Sequence, residues 1–378
     1  MAAQLKVLLI GGYGFFGFKL AQQLCADSRL HLYIAGRSKA RAVQAITELK
    51  ASSSARLTPL RMDTSNPALA ESIRNSGARI VVNVSGPFQG ASYDVANACI
   101  LAGANYIDLA DSRHFVSGIA ALDRAARAAG VFVISGASSV PAVSSAAVDF
   151  LATGFEQLHS IETGITPGNR TARGLATVRA ILSYCGNSVL GWTGGEPHAI
   201  AGWGSLRRKD YPAPVGSRWL ATCDVPDLEL FPARYPGVQS VEFRAGLELK
   251  TLHFGLAFLS AVRRVKLLPN LSMLAGPLLW ASNLFANVGS EDGAMHVTVS
   301  GIDRSGHGAS RTWTLIARHG DGPFVPTLAA KALIQKVLAR DLPYVGATPC
   351  LGLLSLREIR EAAEGLSIAF ATSDTTRL

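Results

Sequence analysis

Three glycines near the start of the sequence have a spacing that suits phosphate binding. Gly12, Gly14 and Gly17 follow the apolar run Val7–Ile10, and apolar residues then recur at helical spacing. In a strand–turn–helix unit, such glycines allow a tight turn, bring the main chain close to a pyrophosphate and let helix pack on strand. The amides at the start of the helix attract phosphate. The alternative is a bare turn. The predicted cofactor-binding residues of this loop are Gly12, Tyr13, Gly14, Phe15, Phe16 and Gly17.

A basic segment follows the second predicted strand, His31–Ala35. About 20 residues past the glycine loop, NAD-binding domains carry Asp or Glu, which accepts a hydrogen bond from the ribose 2′-hydroxyl. This sequence has Arg37 there, followed by Ser38 and Lys39. A guanidinium attracts a 2′-phosphate and has no acceptor for a bare hydroxyl. The segment therefore predicts NADP rather than NAD, the alternative being solvated basic residues that start the next helix.

Two further predicted strands end in loops that should reach the same ligand, because ligands gather beyond the carboxyl ends of parallel strands. Asp63 follows the strand Leu57–Met62, where it is either an adenine contact or an ordinary turn residue. The strand Arg79–Val84 ends in a Gly-Pro loop that we expect to face the nicotinamide ribose. The loop residues assigned to the cofactor are Ser85, Gly86 and Pro87.

A polar loop after the predicted strand Tyr106–Leu109 holds the candidate catalytic residues. Hydride transfer needs a group that donates or accepts the substrate's proton. Asp111 and His114 could each do so, and Arg113 could bind a substrate carboxylate. The alternative is that Asp111 caps the following helix and that His114 is an ordinary exposed imidazole.

The strand Val131–Ile134 leads into a serine-rich turn. Ser138 is predicted to cap the next helix and to bind cofactor rather than to act as a nucleophile, since no G-x-S-x-G motif surrounds it. The Tyr-x-x-x-Lys pair of short-chain dehydrogenases is absent from the sequence. Its absence argues against that class of reductase.

Strand and helix patterns alternate six times up to about residue 150, which is typical of a doubly wound parallel sheet. Later segments alternate polar and apolar residues instead, and Met295–Ile302 and Arg311–Ala317 read as an antiparallel hairpin. We therefore predict an α/β Rossmann domain (1–152) and an α+β domain with a mainly antiparallel sheet for substrate binding and dimerisation (153–325). Residues 326–378 are predicted to be helical and to pack back on the first domain, with a capping box at Ser355–Glu358.

The composition excludes several classes of function. Among 378 residues the net charge is +9, but the basic residues are scattered, so an anionic cofactor is favoured over nucleic acid. Five cysteines lie far apart and eight histidines show no ligand spacing, so we expect reduced thiols, a cytoplasmic location and no metal.

One later stretch, residues 267–286, carries no charge and is about long enough to cross a bilayer. Polar residues and two prolines, Pro269 and Pro277, argue against a spanning helix and favour buried or interfacial helices. Contact with a membrane surface is the less favoured interpretation. Trp192, Trp203 and Trp219 could line an apolar substrate pocket, although such aromatics are more often core.

Four motifs together resemble the saccharopine dehydrogenase-like superfamily, in particular its bacterial NADP-binding branch of mostly undefined substrate. They are the glycine loop 12–17, Asn83–Phe88, Tyr106–Asp111 and Ser135–Pro141. The resemblance covers the first domain well and the remainder loosely, and it implies an NADP-binding dehydrogenase fold. Related chains often have Gly-Glu where this one has Ala110-Asp111, and Gly-Phe-Asp-Ser where it has Gly136–Ser139. An acidic group expected near the substrate is therefore missing.

The primary hypothesis is an NADP-dependent oxidoreductase acting on a C=O, C=N or activated C=C bond, with substrate bound between the domains and the protein forming a homodimer. The alternatives are an NADP(H)-binding sensor or scaffold without catalysis, and a reductase that acts on lipid at a membrane surface. The sequence names neither the substrate nor the direction of transfer.

Overall fold

A computed structural model describes residues 4–172, 174–268, 270–342 and 344–376. These residues form two compact units. The first comprises the described residues of Met1–Val143 and Phe324–Ala362, and the second those of Ser144–Pro323 and Ala363–Leu378. Both units are therefore built from two separate stretches of chain.

The first unit alternates strands and helices, as the sequence predicts. Its elements from the first stretch are β1 (Leu5–Ile10), α1 (Phe15–Leu24), β2 (Leu30–Gly36), α2 (Lys39–Leu49), β3 (Arg56–Arg61), α3 (Leu69–Ser76), β4 (Ile80–Asn83), α4 (Asp94–Ala102), β5 (Asn105–Asp108), α5 (Arg113–Ser117), α6 (Asp123–Ala129) and β6 (Phe132–Ser135). The alanine-rich sequence over 119–129 predicts one helix, but residues 118–129 form a 3-10 turn, Gly118–Leu122, followed by α6. The helix α5 was not predicted.

The seven-stranded parallel sheet of this unit has the strand order β15-β6-β5-β4-β1-β2-β3, in which β15 spans Gly346–Pro349. The six strands of the first stretch have the order of a Rossmann fold, so the predicted fold class is confirmed. Strand β1 pairs with β2 on one side and β4 on the other. Ligands of such sheets bind where the strand order reverses, which here is beyond the ends of β1 and β4.

The central strands are apolar on both sides because helices cover both faces of the sheet. Val7, Leu8 and Leu9 have no exposed surface. One helix-covered side forms a continuous core that includes Leu8, Tyr106 and Ile119. The rigid centre of the sheet therefore holds the loops at its carboxyl edge in place.

The seventh strand comes from the second stretch of the unit, with α12 (Leu328–Leu338) and α13 (Leu356–Ala362). The two helices pack together, and α12 packs on α1. The predicted capping box is confirmed, since Ser355 N–H donates to Glu358 Oε2 (2.7 Å) and Glu358 N–H donates to Ser355 Oγ (3.3 Å). Strand β15 was missed because its four residues, Gly-Ala-Thr-Pro, carry almost no strand signal.

The second unit contains a mixed, mostly antiparallel sheet flanked by helices. Its elements are α7 (Ser144–Ala152), β7 (Phe155–Thr166), α8 (Leu175–Tyr184), β8 (Ser188–Thr193), β9 (Glu196–Ala201), β10 (Arg207–Asp210), β11 (Ser217–Thr222), α9 (Asp227–Arg234), β12 (Ser240–Ala245), α10 (Lys250–Arg264), α11 (Ala275–Asn283), β13 (Gly293–Asp303), β14 (Gly308–Ala317) and β16 (Ile368–Thr376). The main path of the sheet is β10-β11-β12-β7-β13-β14-β16, and β8 pairs with β12 and β9. The predicted hairpin is β13 and β14.

The C-terminal segment differs from its prediction. Residues 368–376 form strand β16, which pairs antiparallel with β14, rather than a helix. Ile368 and Phe370 are half-buried while Ala369 and Ala371 are exposed, which is strand periodicity, and Phe370 stacks on Trp313.

The first boundary between the units also differs from the predicted one. Helix α7 belongs to the second unit because it packs on β7, β13 and β14, whereas the predicted first domain ran to residue 152.

The stretch 267–286 forms a 3-10 turn, Leu271–Leu274, and α11. Pro269 lies outside the described residues. Among the described residues, no helix is long and apolar enough to cross a membrane.

Candidate cofactor site and active site

The turn between β1 and α1 is built by glycine backbone. Gly11 has a φ of +82°, and its N–H and that of Gly12 both donate to the Ala35 carbonyl of β2 (2.9 and 3.1 Å). Gly11, rather than Gly12, therefore takes the left-handed conformation of the turn. A Cβ on Gly17 would lie 2.1 Å from the Gly11 carbonyl oxygen, so only glycine lets α1 pack this closely on the turn.

The start of α1 fits a diphosphate. Gly14 occupies the N-cap position, where it supplies no side chain to cap the helix. The amides of Phe15 and Phe16 in the first turn are thus left for an anionic ligand, and the helix dipole favours negative charge there. A Cβ on Gly14 would lie 3.0 Å from the Gly11 carbonyl oxygen. The glycine loop therefore has the shape and polarity that a pyrophosphate requires.

Tyr13 joins this turn to the end of β2. Its hydroxyl accepts a hydrogen bond from Ser38 N–H (3.0 Å), and its ring lies so close to Gly36 that a Cβ there would be 2.5 Å from the hydroxyl. The guanidinium of Arg41 lies over the same ring, 4.7 Å from its centroid. Tyr13 therefore positions the basic segment relative to the phosphate-binding turn.

Arg37, Lys39 and Arg41 are exposed around this tyrosine. Ser38 caps α2 by accepting from Arg41 N–H (3.3 Å), and Lys39 is the first helical residue, so a contact of Ser38 with cofactor stays a prediction. Sequence reasoning missed Arg41, although it lies two positions past Lys39 on the first turn of a helix. The three cations follow the end of β2, the part of this fold that contacts the adenosine ribose of a dinucleotide, and their contact with cofactor stays a prediction.

Asp63, after β3, behaves as a turn residue. Its carboxylate accepts from Ser65 N–H (3.1 Å) and its carbonyl from Asn66 N–H (3.2 Å). The turn alternative for Asp63 is thus observed, and an adenine contact stays a prediction.

The loop after β4 is hydrogen-bonded to the last residue of that strand. The side-chain oxygen of Asn83 accepts from both the N–H (3.1 Å) and the hydroxyl of Ser85 (2.5 Å). Asn83 also donates to the Tyr106 hydroxyl on β5 (3.3 Å). The predicted nicotinamide loop Ser85–Pro87 is thereby fixed to the carboxyl ends of β4 and β5.

Asp108, the last residue of β5, was not singled out from the sequence. It has no exposed surface, and its Oδ1 accepts from Ala110 N–H, Ser135 Oγ and Gly136 N–H at 2.8 to 3.0 Å. Burial raises the pKa of Asp108 to about 6, although these donors oppose the shift. Asp108 thus holds the loops after β5 and β6 together at the carboxyl edge.

The three predicted catalytic residues have different environments. Asp111 is half-buried and accepts from Gln89 Nε2 (3.2 Å), and burial raises the pKa of its carboxyl. Ser112, not Asp111, is the N-cap residue of α5, Arg113 is buried, and His114 is exposed. Asp111 is therefore the one of the three that combines a titratable group, partial burial and a hydrogen bond to the loop after β4.

Ser138 is buried in the turn after β6. Its N–H donates to the Gly136 carbonyl (2.7 Å), and its carbonyl accepts from Val143 N–H (3.2 Å). These contacts shape the turn, and a contact of the Ser138 hydroxyl with cofactor stays a prediction.

The second unit contains a titratable cluster that sequence reasoning missed. The Tyr211 hydroxyl lies 2.8 Å from His296 Nδ1, and His296 Nε2 lies 3.2 Å from Glu162 Oε1. Because a carboxylate only accepts, Nε2 carries the proton and Nδ1 accepts from the tyrosine. Arg207 and Lys209 flank the same carboxylate (2.9 and 3.9 Å). The five residues come from the three strands β7, β10 and β13 and from the segment after β10, so no local spacing reveals them.

Hydrogen bonding to His296 holds the pKa of Glu162 well below its usual range, and the two cations add to this effect. Burial lowers the pKa of His296. The cluster therefore combines a carboxylate with a neutral imidazole.

The tryptophans of this unit differ in burial. Trp203 is fully buried, Trp192 donates to the Val238 carbonyl (3.0 Å), and Trp219 packs edge-on against Phe254. Trp203 is thus a core residue. In the part of the chain that the structure describes, no three His, Cys, Asp or Glu side chains are grouped as a metal site.

Residues 7–134 match the family model of the saccharopine dehydrogenase NADP-binding domain. Over these residues the first unit is similar to a saccharopine dehydrogenase NADP-binding domain. The matched span of this NADP-binding domain runs from β1 to β6 and includes the glycine loop and Arg37. The family resemblance and the NADP cofactor that the sequence predicts are confirmed by this match.

One solved structure shows the same fold over nearly the whole chain. Apo saccharopine dehydrogenase (L-Glu forming) from Saccharomyces cerevisiae is 13% identical with a TM-score of 0.68, covering 97% of this chain and 99% of that one. An amine dehydrogenase from Mycobacterium smegmatis is 11% identical with a TM-score of 0.47, covering 92% and 95%. No curated protein sequence matches the chain significantly. The chain therefore has a saccharopine dehydrogenase-like fold.

Proposed function

We propose that this protein is an NADP-dependent oxidoreductase that acts on a C=O, C=N or activated C=C bond. The main support is the match to an NADP-binding domain. In this domain the turn between β1 and α1 has positions that only glycine can occupy, α1 begins without a side-chain cap, and the exposed cations Arg37, Lys39 and Arg41 follow β2. The cofactor, when bound, would supply or accept a hydride.

The chain's own residues would hold the cofactor at two ends. The amides after Gly14 would bind the diphosphate, and Arg37 would bind the 2′-phosphate together with Lys39 and Arg41. A guanidinium makes paired, charge-assisted hydrogen bonds to phosphate, which supports selection of NADP over NAD.

Asp111 is the proposed proton donor or acceptor for the substrate. Its raised pKa brings it closer to neutral pH, which suits a group that exchanges protons during turnover. Gln89 orients its carboxyl from the loop after β4. His114, which is exposed, and Arg113, which is buried, are proposed to contribute to substrate binding.

Fluorescence titration with NADPH tests the cofactor site. We expect saturable binding that Arg37→Asp weakens at least about tenfold, the usual cost of losing a hydrogen bond to a charged group. Lys50→Asp, an exposed cation at the end of α2, is the matched control and should bind as wild type. Equal binding by the Arg37 variant would contradict the proposed role of Arg37.

A separate assay tests catalysis. NADPH oxidation would be followed against keto acids, imines and enoyl esters, and Asp111→Asn should lower kcat by about 10²–10⁴ while NADPH affinity is unchanged. His114→Gln, in the adjacent helix α5, is the comparison variant; because His114 is proposed to bind substrate, this change should raise KM more than it lowers kcat. Tight NADPH binding without turnover across the panel would favour a sensor over an enzyme.

A further inference from the structure

The exposed apolar side chains of this protein are concentrated in one segment. Fifteen large hydrophobic residues are exposed in the described chain, and nine of them lie between residues 254 and 288. We call this segment the apolar surface; its nine residues are Phe254, Phe258, Val265, Leu267, Met273, Trp280, Leu284, Phe285 and Val288. Concentration of this kind marks an interaction surface, whereas single exposed apolar residues are normal.

Both helices of the segment present apolar stripes outward. Phe254 and Phe258 on α10 and Val265 directly after it recur at helical spacing and are 40%, 68% and 64% exposed, while His253 and Ser260 on α10 are fully buried. This is the reverse of an ordinary amphipathic helix, whose polar side faces water.

The second stripe runs from the 3-10 turn through α11. Met273, Trp280 and Leu284 are 76%, 67% and 68% exposed, while Leu271 and Ala275 are buried. The turn and α11 both pack on α8. The inner side of this element is therefore already occupied by apolar contacts, and the outer side is apolar as well.

The C-terminal end of the segment, around Phe285 and Val288, is held by hydrogen bonds from Asn169. The buried side chain of Asn169 donates to the carbonyls of Phe285 (2.7 Å) and Val288 (2.8 Å). The backbone of Asn169 in turn donates to Glu248 (2.6 Å). The backbone is thus fixed in a position that keeps these apolar side chains in solvent.

The charge of the segment identifies the partner. From residue 249 to residue 290 the sequence contains no Asp or Glu, and it contains Lys250, Arg263, Arg264 and Lys266. Each of these four cations lacks an ion pair with any described residue. Apolar stripes with a tryptophan and flanking cations are the composition that binds the interface of an anionic bilayer.

A second copy of this chain fits the apolar surface less well. A twofold interface brings the same patch of both copies together. It would place four unpaired cations opposite four others, with no acidic residue in the segment to compensate. Like charges across an interface oppose association.

We propose that residues 250–268 and 270–288 bind the surface of an anionic lipid bilayer, with the apolar stripes of α10 and α11 in the acyl–headgroup boundary and the four cations on the phosphates. This attachment is peripheral and adds to the proposed oxidoreductase activity without depending on it.

Vesicle co-sedimentation tests the proposal. The intact protein should sediment with vesicles of equal parts phosphatidylcholine and phosphatidylglycerol, less with phosphatidylcholine alone, and less as salt rises. Phe258→Ser/Trp280→Ser/Leu284→Ser should weaken binding at least about tenfold. Arg264→Glu/Lys266→Glu should weaken it about fivefold for each cation removed.

Matched controls separate the surface from general effects. Val43→Ser/Leu101→Ser/Phe150→Ser removes three other exposed apolar residues, and Lys50→Glu/Arg304→Glu reverses two other exposed cations. Both controls should sediment as wild type. All variants should keep the wild-type far-UV circular dichroism and NADPH affinity, which shows that they fold.

Trp280 gives a direct readout of insertion. Brominated lipid should quench tryptophan fluorescence in the wild type and less in Trp280→Phe, because Trp280 is 67% exposed and Trp203 and Trp313 are buried. Quenching that remains in the variant would come from the partly exposed Trp192 and from Trp219, which packs against Phe254. The proposal is overturned if the protein does not sediment with anionic vesicles, or if Phe258→Ser/Trp280→Ser/Leu284→Ser sediments as wild type. It is also overturned if light scattering shows a dimer that the same variant dissociates.

Discussion

Asp108 in the first unit and Glu162 in the second are sheet carboxyl groups whose pKa values shift in opposite directions. Asp108 is fully buried and accepts only from neutral donors, and its pKa rises to about 6 because desolvation dominates. Glu162 is partly exposed, accepts from His296 and lies beside two cations, and its pKa falls. At the fully buried Asp108, hydrogen bonds thus do not offset desolvation, whereas at the partly exposed Glu162 the hydrogen bond from His296, assisted by two cations, exceeds it.

The two carboxyl groups also differ in how far along the chain their partners lie. Asp108 bonds to residues 110, 135 and 136, which follow consecutive parallel strands. Glu162 meets residues 207, 209 and 296 through strands from distant parts of the chain. The site around Asp108 is therefore built from neighbouring strands that are close in sequence, and the site around Glu162 from strands that are far apart in sequence.

The largest expected effect comes from the local motif. Gly17→Ala would place a Cβ 2.1 Å from the Gly11 carbonyl oxygen, so α1 must move away from the turn. We expect a loss of about 3 kcal/mol in the free energy of unfolding and loss of NADPH binding, measured by urea unfolding and fluorescence titration.

Gly255→Ala is the matched control, because its added Cβ meets open space within α10. It should be stabilised by about 0.5–1 kcal/mol. If Gly17→Ala behaved like this control, the close packing of α1 on the turn would not be needed.

Removing the buried carboxyl should have the next largest effect. Asp108→Ala leaves the Ala110 and Gly136 amides buried without their acceptor, which should lower the free energy of unfolding by about 2–3 kcal/mol in urea. Because the folded pKa of Asp108 lies above its usual value of 3.8, its stabilising contribution is greatest below pH 4 and is lost as pH rises through about 6.

Asp108→Asn keeps one acceptor oxygen and cannot ionise. Its free energy of unfolding should therefore lack the decrease between pH 4 and 6 that wild type shows. Identical pH profiles for wild type and this variant would mean that Asp108 stays ionised in the folded protein at pH 4.

The carboxylate of the second unit should show the opposite pH dependence at a smaller amplitude. Glu162→Gln should lower the free energy of unfolding by about 1–2 kcal/mol at pH 7. Because the folded pKa is depressed, the stabilisation is present above pH 4.5 and is lost as pH falls toward about 2. Urea unfolding at several pH values measures this, with Glu156→Gln on the same strand as control. A difference that persisted at pH 2 would contradict the ionic role of Glu162.

The smallest expected effect on stability concerns the capping box of α13, which is exposed to solvent. Ser355→Ala removes one half of the capping box at α13 and should cost about 0.5–1 kcal/mol, read as a lower Tm by calorimetry. Ser355→Asp should retain the cap, and an equal loss in both variants would contradict the capping role.

The sequence predicted the elements that carry local signals. The glycine loop, the Rossmann strand order, the hairpin of β13 and β14 and the capping box of Ser355 and Glu358 each depend on neighbours within a few residues. Strands β15 and β16 were missed, since the first is four residues long and the second follows helices. Arg41 and Asp108 were missed because their roles depend on Tyr13 and on the loop after β6, which only the folded sheet brings near.

Strand β15 has a consequence for how the protein is made. It pairs with β6, from which about 200 residues of chain separate it. At about 5–20 residues per second, the ribosome needs roughly 10–40 s to synthesise the chain between β6 and β15, and β6 has no partner on its outer side during this time. During that interval the nascent Rossmann sheet has an unpaired edge, where chaperones would be expected to bind and where premature release would lead to aggregation.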